Sequence, residues 1–186
     1  MTAPKRRPFN VDEYYRLLDV GILQEDTRIE LIEGDIIEQV FPTRLQSSCT
    51  MRLHALFAAL KLYDTAIISV KHPVRLSEYT EPIPELTLLR RQDDFYESGH
   101  PTPADVLLLV EIAEIEVEYD RVVKLPLYAK AGIQHLWLVN VQDALITICS
   151  HPTDKAYEEV RTVKRRDSFT SPLIPNQILT GKMIMG

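Results

Sequence analysis

A short apolar run that ends in a carboxylate constrains the fold of this chain more than any other part of its sequence. Residues 106–110 are Val-Leu-Leu-Leu-Val, and Glu111 follows them directly. An unbroken apolar run of this length is typical of a strand buried on both faces of a sheet. A carboxylate at the end of such a strand is costly unless it is paired, protonated or bound to a cation. The sequence therefore predicts a central buried strand with a polar site at its end.

The elements around this strand predict an α/β fold with a mixed sheet. The strongest helical pattern places Leu53, Leu56, Phe57 and Leu60 at positions i, i+3, i+4 and i+7. Alternating elements favour a sheet with helices packed on its faces. The predicted core has the order α-β-β-β-α-β: a helix over residues 47–63, strands over 66–76, 85–90 and 105–113, a helix over 120–132 and a strand over 135–141.

Further elements flank this core. The predicted additions are a helix after Asn10, a hairpin turning at Glu33-Gly34, strands over 144–149 and 157–163, and an extended surface tail from Ser168. A chain of 186 residues fits one domain. We therefore expect a single domain over 1–186, with an N-terminal helix and hairpin in 1–46, the core in 47–141 and C-terminal strands and tail in 142–186.

Composition narrows the setting and the class of protein. No segment approaches the ~20 apolar residues of a membrane helix. Residues 1–7 are basic, but no apolar stretch of a signal peptide follows them. Cys49 and Cys149 lack disulfide and metal-ligand spacing, the histidines lack zinc-site spacing, and no phosphate-binding glycine loop occurs. We expect a cytoplasmic chain, with no membrane contact, that is not a zinc, P-loop or Rossmann enzyme.

The charge of the chain limits how it can contact nucleic acid. The net charge is −6, whereas general attraction to nucleic acid requires many Lys and Arg contacts. Any such contact must therefore be local. The basic clusters at residues 5–7, 90–91 and 164–166 are candidates, although clusters of this kind are more often only solvated surface.

Glu85, Glu111 and Lys124 form the candidate site. Glu85 opens the strand predicted before that of Glu111, so adjacent pairing brings together two carboxylates, which are ligands suited to Mg²⁺. Lys124 lies near the start of the following helix, where its ammonium can hold an attacking water or a phosphate oxygen. This combination indicates metal-assisted phosphodiester hydrolysis. Spacing alone is weak support, because 27 acidic residues offer many pairs and solvent-facing acids at strand ends are common.

Five stretches, in order along nearly the whole chain, resemble the Uma family of bacterial endonucleases. They are RIELIEGDIIE at 28–38, EPIPEL at 81–86, DVLLLVEI at 105–112, YDRVVKLPLYAKAGI at 119–133 and WLVN at 137–140. The family resembles the restriction-endonuclease-like, or PD-(D/E)XK, superfamily, whose core order is also α-β-β-β-α-β. The resemblance implies a Mg²⁺-dependent endonuclease that cuts DNA, with Mn²⁺ as a substitute ion, and a homodimer.

The resemblance also assigns the site residues. The family's Pro-Asp pair falls on Pro84-Glu85, its strand glutamate on Glu111 and its lysine on Lys124, because Ala113 stands where the superfamily usually has lysine. Glu85 and Glu111 would then be the metal ligands. Glu30, from the first stretch, is an additional ligand for metal or water.

Several departures from the family pattern leave a second hypothesis open. Glu85 replaces Asp, and a displacement of about 1 Å at a reacting group can cost roughly a hundredfold in rate. The sequence Ala113-Glu114 replaces a hydroxyl and another polar residue, and Gln46 lies near the usual position of a histidine. His135-Leu136 stands where Glu-Tyr is usual. The alternative to an endonuclease of weakened activity is a decayed nuclease fold that binds nucleic acid or acts as a scaffold.

Overall fold

A six-stranded mixed sheet forms the centre of the computed structural model, which describes residues 5–24, 28–114 and 116–186. The helices are α1 (Val11–Asp19), α2 (Arg44–Ala59), α3 (Val117–Tyr119), α4 (Leu125–Lys130) and α5 (Gly181–Met185). The strands are β1 (Ile29–Ile32), β2 (Asp35–Glu38), β3 (Ala66–Val70), β4 (Leu86–Arg90), β5 (Val106–Ala113), β6 (His135–Asn140), β7 (Leu145–Pro152), β8 (Tyr157–Lys164), β9 (Ser168–Ser171) and β10 (Ile174–Thr180). Short 3₁₀ turns lie at Leu62–Asp64 and Pro103–Asp105, and a π-helical turn lies at Asp120–Lys124.

The strand order of the main sheet is β3-β4-β5-β6-β7-β8. Strands β5 and β6 are parallel, and the other neighbours are antiparallel. The predicted core order is confirmed, with α2, β3, β4 and β5 followed by the helical segment 117–130 and β6. The mixed fold class is confirmed with it. Strand β3 is shorter than predicted: it ends at Val70, because Lys71 has a left-handed backbone with φ of 55°.

Side chains along β5 alternate between the two faces of the sheet. Val110 and Ile112 belong to the core that α2 and α5 cover, and Leu109 and Ala113 belong to the core that α4 covers. The period of two along a strand places Glu111 on the α4 side, with Leu109 and Ala113. The apolar run thus supplies both cores, and the carboxylate after it faces a helix rather than solvent.

The crossover from β5 to β6 contains the π-helical turn. The Leu125 N–H donates to the Asp120 carbonyl, five residues back. Pro126 follows in the first turn of α4, where its missing N–H is tolerated. The helical segment begins at Val117, three residues before its predicted start. Single π turns occur frequently at functional sites, and this one carries Lys124.

The β1–β2 hairpin forms a separate two-stranded sheet beside the main sheet. Its tip, Glu33 and Gly34, has positive φ at both residues, which suits a two-residue hairpin turn. The Gly34 N–H donates to the Tyr79 carbonyl at 2.7 Å. The Glu81 N–H donates to the Leu31 carbonyl, also at 2.7 Å. These bonds fix the hairpin, and therefore Glu30, against the segment that leads into β4.

The prediction of an extended tail from Ser168 is wrong. The tail forms the β9–β10 hairpin and helix α5, and it buries Phe169, Ile174, Leu179 and Ile184 in the α2 side of the core. Pro175 lies in β10, one strand of a two-stranded sheet, where proline is tolerated because each strand has an open edge. Of the basic segment at 1–7, residues 1–4 lie outside the described part of the chain. Within the described ranges, none of the helices combines the length and apolar character needed to cross a membrane.

Replacing Gly34 by alanine tests the packing of the hairpin tip. An added Cβ would lie 2.2 Å from the Pro8 Cβ, and φ is +80°. We expect Gly34→Ala to lower the free energy of unfolding by about 2 kcal/mol or more, as measured by urea denaturation. Gly21→Ala, with similar φ but open space, should cost about 1 kcal/mol. Gly99→Ala, with neither problem, should change it by less than about 0.5 kcal/mol. Equal losses at Gly34 and Gly21 would contradict the close packing against Pro8.

Candidate functional site

The four residues predicted for the site meet at one end of strands β4 and β5 of the main sheet. Because β4 and β5 are antiparallel, the start of β4 lies beside the end of β5, and Leu86 pairs with Val110. Glu85 and Glu111 are therefore neighbours. The Glu85 backbone N–H donates to Oε2 of Glu111 at 3.4 Å.

Glu111 is buried and accepts hydrogen bonds from two further residues. The Tyr128 hydroxyl, on α4, donates to Oε1 at 2.6 Å. Nζ of Lys124 donates to the same oxygen at 3.3 Å. These partners give the buried carboxylate the compensation that its position in the apolar strand requires.

Glu30 reaches the site from the β1–β2 hairpin. Its side chain is buried, and its Oε2 accepts a hydrogen bond from the Ile83 N–H at 3.1 Å. Its Oε1 lies 3.0 Å from Nζ of Lys124. That oxygen has no hydrogen bond of good geometry within the described chain, so the ion pair is its main stabilisation.

Lys124 lies at the centre of three carboxylates. Besides Glu30 and Glu111, its Nζ lies 3.8 Å from Oδ1 of Asp120, one helical turn earlier. Burial alone would lower the pKa of Lys124, but Glu111, Glu30 and Asp120 outweigh burial and raise it above its ordinary value. The ammonium therefore stays protonated and acts as a fixed positive charge.

Three buried carboxylates around a single ammonium leave two negative charges uncompensated when all groups are ionised. Burial raises the pKa of Glu111, and Glu30 raises it further against the opposing effect of Lys124. Burial, followed by Glu111, raises the pKa of Asp120 to about 8. The cluster therefore favours an additional positive charge, either a proton or a cation.

Glu85 is held by contacts of its own. Its Oε1 accepts from the Thr50 hydroxyl, on α2, at 2.7 Å and lies 3.1 Å from Nζ of Lys71. Its Oε2 makes no hydrogen bond to the described part of the chain. Thr50 and Lys71 thus fix one oxygen of the longer side chain, and the other oxygen remains available to a ligand.

A narrow cleft lies between these groups. Glu85, Glu111, Asp120 and Lys124 line it, together with Gln46 and other residues, and its free space is about 20 Å³. This is enough for one water molecule or one small ion. In the described ranges, no group of three or more Asp, Glu, His or Cys side chains is arranged to hold a metal. A pair of carboxylates still suits Mg²⁺, which proteins usually bind through one or two carboxylates, with water and substrate phosphates as further ligands.

Sequence reasoning placed Glu30, Glu85, Glu111 and Lys124 at the candidate site, and the structure brings them together. The Tyr128 hydroxyl also reaches the site. The residues missed are Asp120, Thr50 and Lys71. Asp120 had a usable signal, because it lies four residues before Lys124 on a predicted helix. Nothing in the sequence around Thr50 or Lys71 indicates a contact with Glu85.

Comparisons with known proteins identify the family and the fold of this chain. Residues 11–180 match the model of the Uma2 family, described as "Putative restriction endonuclease". A crystal structure of a "putative nuclease belonging to DUF820" from Anabaena variabilis has 15% sequence identity, covers 96% of this chain and 98% of its own, and has a TM-score of 0.70. At that identity the likeness establishes the fold alone. Among curated proteins, none matches the chain. The family match spans most of the sequence, and this chain therefore belongs to the Uma2 family.

Proposed function

We propose that this protein is a metal-dependent endonuclease that hydrolyses DNA phosphodiester bonds in the cleft between Glu85 and Glu111. The observation that supports this most is the convergence of Glu30, Glu111 and the Lys124 ammonium on one narrow space beside Glu85. Membership of the Uma2 family supports nuclease chemistry in general. The identity of the ion, Mg²⁺ or Mn²⁺, and DNA as the substrate are part of the proposal.

Glu85 and Glu111 would hold the ion. Both carboxylates line the cleft, and oxygen ligands suit a hard divalent cation. When bound, such an ion lowers the pKa of a coordinated water and neutralises charge on the phosphoryl oxygens. The negative charge of the cluster favours binding of this kind.

Lys124 would orient the attacking water and stabilise charge on the phosphate. Its raised pKa excludes a role as general base at neutral pH, because the ammonium has no lone pair to accept a proton. Its short contacts to Glu30 and Glu111 hold it in place before substrate arrives. Such preorganisation is the usual source of electrostatic catalysis.

Tyr128 would keep Glu111 oriented. Burial and the neighbouring Glu111 raise the pKa of Tyr128 well above its ordinary value, so the phenol remains a neutral donor. Its bond to Oε1 leaves Oε2 of Glu111 facing Glu85. The two sides of the carboxylate are therefore distinguished, one toward helix α4 and one toward the proposed ion.

The decayed-fold alternative depends chiefly on Glu85 in place of Asp. The contacts from Thr50 and Lys71 argue against it, because they hold the longer side chain beside Glu111. All four predicted site residues are also ionisable and buried. A site that had lost its function would not need to keep costly buried charges. The single domain, the homodimer and the cytoplasmic location stay predictions.

Cleavage of supercoiled plasmid tests the proposed function. We expect the wild type to cut in Mg²⁺ or Mn²⁺, and Lys124→Ala to cut about 10²–10³-fold more slowly, the usual effect of removing one donor that stabilises transition-state charge. Glu111→Gln should abolish cleavage, because it removes a charged ligand without changing the size of the side chain. Loss of DNA forms is measured on agarose gels.

Glu158→Ala is the matched control, because it removes an exposed carboxylate on β8. Circular dichroism checks that each variant is folded, since breaking a buried ion pair costs about 3–5 kcal/mol. An inactive wild type that also binds no Mn²⁺ would favour the decayed fold. Equal activity in all variants would indicate a contaminating nuclease.

The stability of the protein should depend on the ionisation of Asp120. Its pKa is about 8 in the folded chain, above the ordinary value of 3.8, so the folded state retains a proton that the unfolded state releases. The free energy of unfolding should therefore fall as pH rises from 5 to 8. Asp120→Asn should make this fall smaller, as measured by urea denaturation at several pH values without metal.

Asp94→Asn is the control for this measurement. Hydrogen bonds from Ser98 and Tyr96 lower the pKa of Asp94, so its contribution changes only below about pH 4, near the ordinary carboxyl range. Its slope between pH 5 and 8 should match that of the wild type. An Asp120→Asn slope as steep as the wild type would show that Asp120 is ionised throughout that range.

A further inference from the structure

Phe41 is an exposed aromatic residue in the segment that borders the cleft. It is 77% exposed, the largest fraction among the large hydrophobic residues of the described chain. Its neighbours Val40 and Pro42 line the cleft together with Glu85 and Glu111. Leu45, on the first turn of α2, is exposed as well. Single exposed hydrophobic residues are ordinary, but a group of them beside a polar cleft indicates a binding surface.

The backbone on both sides of Phe41 is held in place. Arg28 donates to the Val40 carbonyl at 3.0 Å, and the Val40 N–H donates to Glu116 at 3.4 Å. On the other side, Thr43 caps α2 through reciprocal bonds with Gln46. The exposure of Phe41 is therefore a property of a fixed segment.

Charges of both signs lie near this aromatic residue: Glu114 and Glu116 accept hydrogen bonds from Thr43 and Val40, and positive charge lies at the start of α2. Arg44 is exposed at the first position of α2. The positive end of the dipole of this 16-residue helix lies at the same point, and the first turn contains no acidic residue. An aromatic platform next to positive charge is the usual way in which proteins bind single-stranded nucleic acid, with bases stacked on the ring and phosphates near the cations.

We propose that Phe41 stacks on an unpaired nucleobase of the DNA strand whose phosphate enters the cleft. This inference rests on the proposed function, and it defines the substrate as DNA with unpaired or easily unstacked bases near the cut. Bases inside a regular duplex have both faces covered by their neighbours, so a ring beside the cleft can contact a base face only where stacking is interrupted.

A second copy of this chain is the other possible occupant, and the geometry favours it less. Val40 and Pro42 belong both to the wall of the cleft and to the segment of Phe41. A protein surface seated on Phe41 would therefore cover the opening through which a substrate must reach Glu111. A base attached to the bound strand contacts the ring while that opening is in use.

Binding of short oligonucleotides without added Mg²⁺ or Mn²⁺ tests the proposal by fluorescence anisotropy. Two labelled probes are used: an oligothymidylate and a strand of abasic sites with the same number of phosphates. We expect Phe41→Ala to weaken binding of the oligothymidylate about tenfold, the usual effect of losing one stacked base, and to leave the abasic strand unchanged. Phe41→Trp should bind both probes as the wild type does.

Phe95→Ala is the matched control. Phe95 is 68% exposed, but it lies in the loop between β4 and β5, at the opposite end of these strands from Glu85 and Glu111. It should leave both affinities unchanged. Equal affinity of Phe41→Ala and wild type for the oligothymidylate, or an equal loss on both probes, would overturn the stacking role.

Light scattering on the same variants tests whether a second copy of this chain, rather than a base, covers Phe41. Conversion of a dimer to a monomer by Phe41→Ala, with unchanged DNA affinity, would overturn the proposal in favour of a surface between two copies. Because binding is measured without cleavage, a failure of the plasmid assay and a failure of the Phe41 contact are separate results.

Discussion

The Lys124 ammonium is the interaction on which the arrangement of this site depends. It joins three parts of the chain: the β1–β2 hairpin through Glu30, the central strand through Glu111 and the crossover helix through Asp120. Each carboxylate is buried, and each would be costly there without a cation nearby. Lys124, which lies in the π-helical turn, thereby stabilises the fold around it and places a positive charge in the cleft.

The sequence was most informative at Glu111, where a charged residue directly follows a buried apolar run. The apolar run before Glu111 predicts both a central strand and an unusual carboxylate, and the structure has both. Lys124 was placed by its position on the helix after β5 and then by resemblance. Glu30 depended on resemblance alone, because its distance from Glu111 is set by how a hairpin packs. The contacts of Thr50 and Lys71 could not be predicted. Thr50 lies on the buried face of α2. Lys71 is the left-handed residue at which β3 ends. The C-terminal tail was mispredicted because its prolines suggested an extended surface segment. Four of its residues belong to the core: Phe169, Ile174, Leu179 and Ile184.

The departures from the family pattern acquire a physical meaning in the structure. Glu85 is longer than the usual aspartate, yet two donors hold one of its oxygens. Gln46, near the usual position of a histidine, closes the capping box of α2 and donates to the Ile112 carbonyl at 3.1 Å. Glu114 accepts a hydrogen bond from Thr43, the residue that caps α2. Gln46 and Glu114 therefore make contacts that tie the start of α2 to the end of the central strand.

The position of Glu30 outside the main sheet has a consequence for the order in which the protein matures. The two strands of the hairpin that carries it pair with each other, and backbone bonds to Tyr79 and Glu81 hold the hairpin against the segment before β4. Local pairings of this kind form quickly, whereas contacts between residues far apart in sequence pay a larger loop-closure cost. Docking of residue 30 beside residue 124 is such a contact. A chain emerging from the ribosome therefore lacks the complete charged cluster until Lys124 has been synthesised and packed against Glu30 and Glu111.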